Sequence, residues 1–184
     1  MKAWGILTIT ALAGLGFAAP ASAYDAQCFQ NEHYLVIAQQ RAEEVGSDFI
    51  IRPPAVGKIA CIFETRDGDI RIGEHEDPLY FTGLSRNYLV LTRSTGPDGN
   101  LVIYDLDAGA FEPIVDLPAD DEVIVGDNAV TYWERTAEGN EDNCPEFAEY
   151  SGYGFGAVIA EERILDTATG QISATGQSHC SSTQ

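Results

Sequence analysis

The sequence predicts an all-β domain, an antiparallel meander of about ten to twelve short strands that forms a sandwich, a barrel or a propeller-like sheet. Segments rich in Val, Ile, Tyr, Phe and Thr recur at intervals of roughly ten residues. Gly, Pro, Asp and Asn fill the gaps between them. Four cysteines follow residue 23 and predict two disulfides, and we expect at most one or two short helices.

The individual strands follow from this pattern of apolar and β-branched segments bounded by turn residues. In chain order, strands are predicted at residues 34–38, 48–52, 58–64, 69–73, 79–82, 88–93, 101–105, 111–116, 122–125, 129–134, 157–166 and 171–175.

Turn sequences between these strands predict three hairpins. Pro fixes φ near about −65° and Gly accepts positive φ, so both residues favour tight turns. The predicted hairpins join 59–64 to 69–72 through Asp67-Gly68, 88–93 to 101–105 through GPDGN at 96–100, and 122–125 to 129–133 through GDN at 126–128.

Two heptads repeat the same local pattern. IYDLDAG at 103–109 and ILDTATG at 164–170 share an apolar pair, an Asp and a final Gly. This spacing predicts two similar turns after the strands, of type I or with a residue in the αL conformation.

The N-terminus predicts a secretory signal peptide over residues 1–23. Lys2 precedes a stretch without charged residues at 4–17, and Ala21-Ser22-Ala23 forms a small-x-small cleavage site. The alternative, an N-terminal membrane helix, needs about 20 apolar residues. We therefore expect a single all-β domain over 24–184, periplasmic or secreted, with no membrane insertion after cleavage.

The four cysteines of this domain predict a disulfide framework. An even number of cysteines in an exported chain indicates disulfides, and four cysteines allow three pairings. We favour Cys28 with Cys61 and Cys144 with Cys180, because each pair brackets a predicted run of strands. A zinc site is the alternative, but the only adjacent ligand pair is His179 with Cys180.

The charge of the predicted domain is strongly negative. Residues 24–184 carry nine Lys and Arg against 29 Asp and Glu, a net charge of −20, and Lys58 is their only lysine. Nucleic acids and anionic membranes would be repelled, so they are excluded as partners. The acidity indicates either solubility or an acidic docking surface for a basic exported protein.

Residues 138–156 form the predicted binding surface. This segment combines an acidic Gly- and Asn-rich loop, a short helix predicted at 146–150, and aromatic residues between glycines. Aromatic rings beside carboxylates can bind a sugar ring or a cationic side chain. The alternative is an irregular connection held by the disulfide of Cys144. The candidate binding residues are Tyr150, Tyr153, Phe155, Glu146 and Glu149.

The sequence assigns no catalytic residue, metal or cofactor. No G-x-S-x-G motif is present, and the carboxylates adjacent to His75 point away from it in an extended chain. Acidic clusters at 67–69, 105–107 and 120–122 could supply calcium ligands, but none fits an EF-hand loop.

Three functions are compatible with these observations. The first is a non-enzymatic binding or structural protein, inhibitor-like, that docks a basic partner protein. The second is a small envelope hydrolase or lyase that uses His75 or His33 with a nearby carboxylate. The third is a calcium-stabilised module that binds a carbohydrate or another ligand.

Overall fold

The computed structural model describes residues 26–96, 98–109 and 112–184, which contain eleven strands and one helix. The predicted signal peptide and the start of the predicted domain lie outside them. The helix α1 spans Phe147–Gly152. The strands are β1 (Gln27–Gln30), β2 (Leu35–Gln40), β3 (Ser47–Arg52), β4 (Ile70–Ile72), β5 (Leu79–Ser85), β6 (Tyr88–Arg93), β7 (Gly99–Asp105), β8 (Val115–Val125), β9 (Ala129–Glu138), β10 (Gly156–Asp166) and β11 (Ile172–Thr183).

The strands form two antiparallel sheets in which every strand pairs with its neighbours in sequence. The first sheet has the order β1-β2-β3-β4, and the second runs from β5 to β11 in the same sequential way. This confirms the predicted all-β antiparallel meander, and the two disulfides have the favoured pairing, Cys28 with Cys61 and Cys144 with Cys180. Within the described residues, no helix is long and apolar enough to span a membrane.

Four strands are buried on both faces. Residues 35–38 of β2, 49–52 of β3, 88–91 of β6 and 101–104 of β7 are consecutively buried. Because successive side chains in a strand point to opposite faces, each of these strands needs apolar cover on two sides. One side is the interface between the sheets, where Val36, Phe49, Ile51, Leu89, Leu91 and Val102 pack together.

The second sheet curls back on itself and covers the other face of β6 and β7. Val90 and Ile103 pack there against Val115, Val130 and Leu165 of β8 to β10. The curl brings β5 against the end of β8: a Cβ on Gly83 would lie 2.8 Å from the Val125 side chain, so glycine permits the approach. Ser85 Oγ also donates a hydrogen bond of 2.5 Å to the carbonyl of Gly126.

The outer face of the first sheet is covered by an unpaired segment, residues 53–66, rather than by a strand. The predicted strand at 58–64 is therefore wrong. The N–H groups of Ile62 and Glu64 donate to carbonyls two residues earlier, each at 3.0 Å, instead of to a neighbouring strand. The apolar alternation that predicted a strand serves to cover the sheet, since Ala55, Ile59, Cys61 and Phe63 pack on Leu35, Ile37 and Ile50.

The hairpin predicted from 59–64 to 69–72 is also wrong, because β4 pairs with β3 instead. Asp67-Gly68 does form a turn, in which the N–H of Asp69 donates to the carbonyl of Arg66 at 3.2 Å.

Strand β1 has no counterpart among the predicted strands. It joins the two sheets, since the ring of Phe29 stacks on Phe81 of β5 with centroids 3.6 Å apart.

The other two predicted hairpins are confirmed: β6 pairs with β7 and β8 with β9. The predicted strand at 122–125 is the end of a longer strand, β8, whose register shifts between Ala119 and Val123. Of the strand predicted at 111–116, only residues 115 and 116 belong to β8, and residues 112–114 are not in a strand. Residues 110 and 111 lie outside the described residues. The predicted helix at 146–150 occurs slightly later, as α1, and β11 extends eight residues beyond the predicted end, to Thr183.

The two similar heptads form similar turns, as predicted. Gly109 and Gly170 have φ of 95° and 73°. The Asp105 carboxylate accepts the N–H of residue 107 at 3.0 Å, and the Asp166 carboxylate accepts the N–H groups of residues 168 and 169, both at 2.9 Å. Aspartate thus satisfies the backbone of each turn, and glycine completes it.

Because the β6–β7 hairpin is buried on both faces, we predict that truncating an apolar side chain on either face lowers the stability of the protein by a similar amount. Leu91 faces the first sheet, and Leu101 faces the curled half of the second. We expect Leu91→Ala and Leu101→Ala each to lower the free energy of unfolding by about 2–5 kcal/mol, measured by chemical denaturation. Ile124→Ala on β8, where the side chain is 59% exposed, is the control and should cost less than about 1 kcal/mol. A control-sized effect at either leucine would contradict the two-sided core.

Candidate functional site

The predicted binding segment lies between β9 and β10 and includes α1; we call residues 138–156 the acidic surface. A disulfide fixes its middle to the sheet. Cys144, which is 2% exposed, is bonded to Cys180 of β11. The N–H of residue 144 also donates to the carbonyl of Asn140 at 3.0 Å, so the loop before α1 is held in a compact turn.

The five candidate binding residues lie together around α1. No residue of this helix is buried, and Glu146 and Glu149 are exposed. Tyr153 is 72% exposed and Phe155 38%, whereas Tyr150 is half-buried. The carbonyl of Tyr150 accepts the N–H groups of Tyr153 at 3.1 Å and Phe155 at 2.9 Å. The structure thus presents two aromatic rings and two carboxylates on one loop and helix unit.

The acidic surface has no cation of its own. Between Arg135 and Arg163 the sequence holds seven carboxylates and no Lys or Arg. Glu161 pairs with Arg163 at 2.8 Å, and Glu162 accepts the side-chain amide of Gln177 at 3.0 Å. The other five are exposed and form no ion pair within the described residues: Glu138, Glu141, Asp142, Glu146 and Glu149.

Most arginines are used elsewhere, in ion pairs with acids on the strands and turns of the domain. Those of Arg41, Arg52 and Arg93 involve Asp48, Asp69, Asp77 and Asp116, at 2.5–2.9 Å. Arg135 and Arg163 also bind carboxylates. Five of the eight arginines are therefore neutralised locally, and the negative potential is left on surfaces such as the acidic surface.

An open groove of about 560 Å³ runs beside the acidic surface. Its walls include Pro145 and Glu146 on one side and Ile159, Ser178 and His179 on the other. Within the described residues, one group of three potential metal ligands occurs here, Cys144, Glu146 and Cys180. The two sulfurs are joined in the disulfide and cannot act as thiolate ligands, so the residues present do not fit a zinc site.

A polar cluster around Asp120 lies next to this groove, and we call it the Asp120 clasp. The Asp120 carboxylate accepts hydrogen bonds from Arg135 Nε at 2.7 Å and Ser181 Oγ at 3.0 Å, and it contacts His179 Nε2 at 2.8 Å. The Trp133 ring packs on His179 with centroids 4.2 Å apart. The clasp joins β8, β9 and β11.

The sequence did not identify this cluster, because Asp120 and His179 are 59 residues apart. The available signals were the acidic run at 120–122 and the position of His179 beside Cys180. With disulfide formation at Cys180, neighbouring side chains of β11 are held against the sheet. His179 and Ser181, two residues apart, then point to the same face.

The electrostatics of Asp120 show what holds the clasp. Burial alone would raise the pKa of Asp120, but the hydrogen bonds from Arg135, His179 and Ser181 outweigh it and lower the pKa below its ordinary value. Ser181 donates to the carboxylate and not to His179, so the three residues do not form the relay of a serine hydrolase. The arrangement is suited to fastening strands together.

The histidines of the hydrolase hypothesis lie apart from each other, in two different cavities. His75 Nε2 lies 2.8 Å from Glu44 Oε1. The other ring nitrogen, Nδ1, lies 4.0 Å from Oε1 of the adjacent Glu76. The imidazole is 77% exposed. Within the described residues, the wall of the cavity of about 640 Å³ beside it contains no Ser, Thr, Cys or Tyr.

The three acidic clusters considered as calcium ligands use carboxylates for hydrogen bonds within the protein. Asp69 binds Arg52 at 2.7 Å, and Asp107 accepts the Tyr34 hydroxyl at 2.6 Å. Asp105 accepts the Asn87 amide at 2.7 Å, and Asp120 is the centre of the clasp. At least one carboxylate of each cluster therefore has a partner within the protein.

The chain matches no protein-family model, and comparison with curated proteins and with solved structures finds no match.

The clasp predicts a specific loss of stability. We expect Asp120→Asn to lower the free energy of unfolding at pH 7 by about 2 kcal/mol, because the variant leaves Arg135 and His179 with a neutral partner. Asp121→Asn changes an exposed neighbouring carboxylate and should cost less than about 0.5 kcal/mol. Denaturant unfolding of both variants measures the difference.

Comparing the stability of the wild type and Asp120→Asn at several pH values tests the lowered pKa of Asp120. A carboxyl group whose pKa is lowered on folding stabilises the fold above its unfolded pKa of about 3.9, and this stabilisation is lost as the pH falls through the folded pKa. The gap between the wild type and Asp120→Asn should therefore narrow below about pH 4. A gap that stays constant or widens there would contradict this role of the ionised carboxylate.

Proposed function

We propose that this protein is an exported, non-enzymatic binding module that docks a basic partner protein through the acidic surface, in the manner of a protein inhibitor. One observation carries the proposal. Five exposed carboxylates without ion-pair partners in the described residues lie beside two exposed aromatic rings, on a loop fixed by a disulfide. The two disulfides are typical of an oxidising compartment and support a periplasmic or secreted location.

The charge distribution supports a cationic partner. A negative surface accelerates encounter with a basic protein and repels acidic competitors. The carboxylates of the acidic surface are exposed, so they retain their hydration until the partner arrives. Binding through such groups should have a fast, salt-sensitive association rate.

The aromatic residues of the acidic surface can supply apolar contacts, which the carboxylates cannot. Charged side chains at the exposed rim of an interface contribute little to binding affinity. Aromatic side chains at the centre of an interface contribute much of the binding affinity. Tyr153 and Phe155 can pack against the stem of a partner Arg or Lys and bind its cation over the ring face. The disulfide of Cys144 restricts the loop before binding, which lowers the entropy lost in the complex.

The proposal predicts that charges on the acidic surface matter more than equal charges elsewhere. The oxidised protein, immobilised, should retain a basic protein from an envelope extract at about 50 mM salt and release it at about 500 mM salt. With the purified partner, Glu141→Gln, Asp142→Asn, Glu146→Gln and Glu149→Gln together should weaken binding about tenfold or more at low salt. Calorimetric titration measures the affinity.

The matched control neutralises the same number of exposed acids outside the acidic surface: Glu43→Gln, Asp67→Asn, Glu112→Gln and Asp127→Asn. Both variants have the same net charge, and the control should weaken binding by less than about threefold. Equal losses in the two variants would show that only net charge acts, and retention of no partner at either salt would overturn the proposal. Tyr153→Ala should weaken binding at both salt concentrations, because its contribution is apolar.

A further inference from the structure

A cleft of about 390 Å³ opens between the two sheets, at the end of the first sheet where β2 connects to β3. Its walls come from β1, β2 and β3 on one side and from β5 on the other. Within the described residues, no charged side chain lines it. In a domain with 29 acidic and nine basic side chains, this uncharged cleft differs from the rest of the surface.

The cleft lies where the inner face of the first sheet changes from apolar to polar. Ala38 and Phe49 belong to the core between the sheets. The next residues on the same face are Gln40 and Ser47, which lie opposite each other in the pairing of β2 with β3. Strand residues that point into the space between two sheets are usually apolar. Packing of the core therefore does not account for glutamine and serine at these two positions.

Two hydroxyl groups in the cleft have unused hydrogen-bonding capacity. Ser47 is 9% exposed, and its hydroxyl forms no hydrogen bond within the described residues. A buried hydroxyl without a partner costs free energy, so such groups are rare in folded proteins. On the opposite wall, the Tyr80 hydroxyl accepts the N–H of Gly46 at 3.1 Å, which leaves its own proton to donate. A ligand in the cleft would satisfy both groups.

Amide groups and aromatic rings complete the wall. Gln27 and Gln40 are exposed, and within the described part of the chain their side-chain amides form no hydrogen bond. Each amide can both donate and accept. The rings of Phe29 and Phe81, which stack on each other, also line the cleft. The cleft thus combines an aromatic surface with four neutral groups that form hydrogen bonds.

We propose that this cleft binds a small neutral saccharide. The hydroxyl groups of a pyranose ring donate and accept hydrogen bonds, and the C–H groups of its apolar face pack on aromatic rings. The volume lies within the range of about 300–1,000 Å³ that is typical of small-molecule pockets. This inference uses a different surface from the proposed function and does not depend on it.

The same wall disfavours other classes of small molecule. A purely apolar ligand would leave the Ser47 hydroxyl without a partner and would cover the amides of the rim. A charged ligand would find no counter-ion among the described residues of the wall. An anionic ligand would also be repelled by the net charge of the domain.

Titration of neutral sugars into the oxidised, ¹⁵N-labelled protein tests the proposal, with amide NMR signals as the readout. The probes are methyl glucoside, methyl galactoside, methyl mannoside, cellobiose and maltose. At least one should shift the signals of Gln40, Ser47 and the Gln27 side chain, and should saturate with a dissociation constant of about 10 mM or lower. The uronic acid form of the sugar that binds should bind at least about tenfold more weakly, because it carries a negative charge.

The variant Ser47→Ala distinguishes a ligand-binding hydroxyl from a structural one. It should weaken sugar binding about fivefold or more, because a hydrogen bond to the ligand is lost. Without sugar, its melting temperature should equal or exceed that of the wild type, because the hydroxyl has no partner in the free protein.

Exposed glutamines supply a second test that does not depend on a buried position. Gln27→Ala together with Gln40→Ala should weaken binding about fivefold or more. Gln171→Ala, which changes an exposed glutamine outside the cleft, is the matched control and should leave the affinity unchanged.

The proposal would be overturned if none of the five sugars shifted these signals at about 50 mM, a result that would leave the cleft occupied by water alone. Saturable shifts confined to residues outside the cleft would also overturn it. So would a dissociation constant that is the same in the wild type, in Ser47→Ala and in the double glutamine variant.

Discussion

Burial of the β6–β7 hairpin on both faces is the constraint on which the rest of the structure depends. A hairpin with apolar side chains in consecutive positions cannot be stable at the surface, so two layers must cover it. The first sheet supplies one layer, and the curled half of the second sheet supplies the other. The first sheet is in turn apolar on its outer face, which requires the unpaired segment 53–66. The strands with consecutive apolar residues therefore determine which other layers must cover them.

Layers built this way leave edges and ends that hydrophobic packing does not close, and polar or covalent contacts close them. The Asp120 clasp fastens β11 to β8 and β9, and Arg135 extends it to Asp98 before β7 at 2.6 Å. The disulfide of Cys180 holds the same strand, and that of Cys28 holds the covering segment. A meander in which each strand pairs only with its neighbours depends on such contacts, because strand pairing alone does not fix how the sheets fold over each other.

The sequence predicted what is local and missed what depends on distance. The β6–β7 hairpin is continuous in apolar character and carries its own turn, and both disulfide pairs bracket strands, so these features were predictable. The segment 58–64 has the alternation of a strand, yet its inward side chains cover a sheet, and alternation is the same in both cases. In β8, Pro118 and the acidic residues at 120 and 121 interrupt the apolar pattern, so the sequence predicts separate strands before and after them. His179 and Asp120 meet only because the second sheet curls, and no short-range pattern records that curl.

The side chains that the fold does not use indicate where function lies. Five arginines are paired with carboxylates on the strands and turns, and the turns after β7 and β10 use their aspartates to satisfy backbone groups. After these interactions are assigned, the exposed carboxylates of the acidic surface have no ion-pair partner within the described residues, and the exposed rings of Tyr153 and Phe155 lie on the same segment. These side chains lie on a segment that a disulfide fixes to β11, so part of its ordering is achieved during folding. Exposed like charges on such a segment repel one another, so they do not increase the stability of the fold. The acidic surface is therefore the place at which we propose that a partner binds.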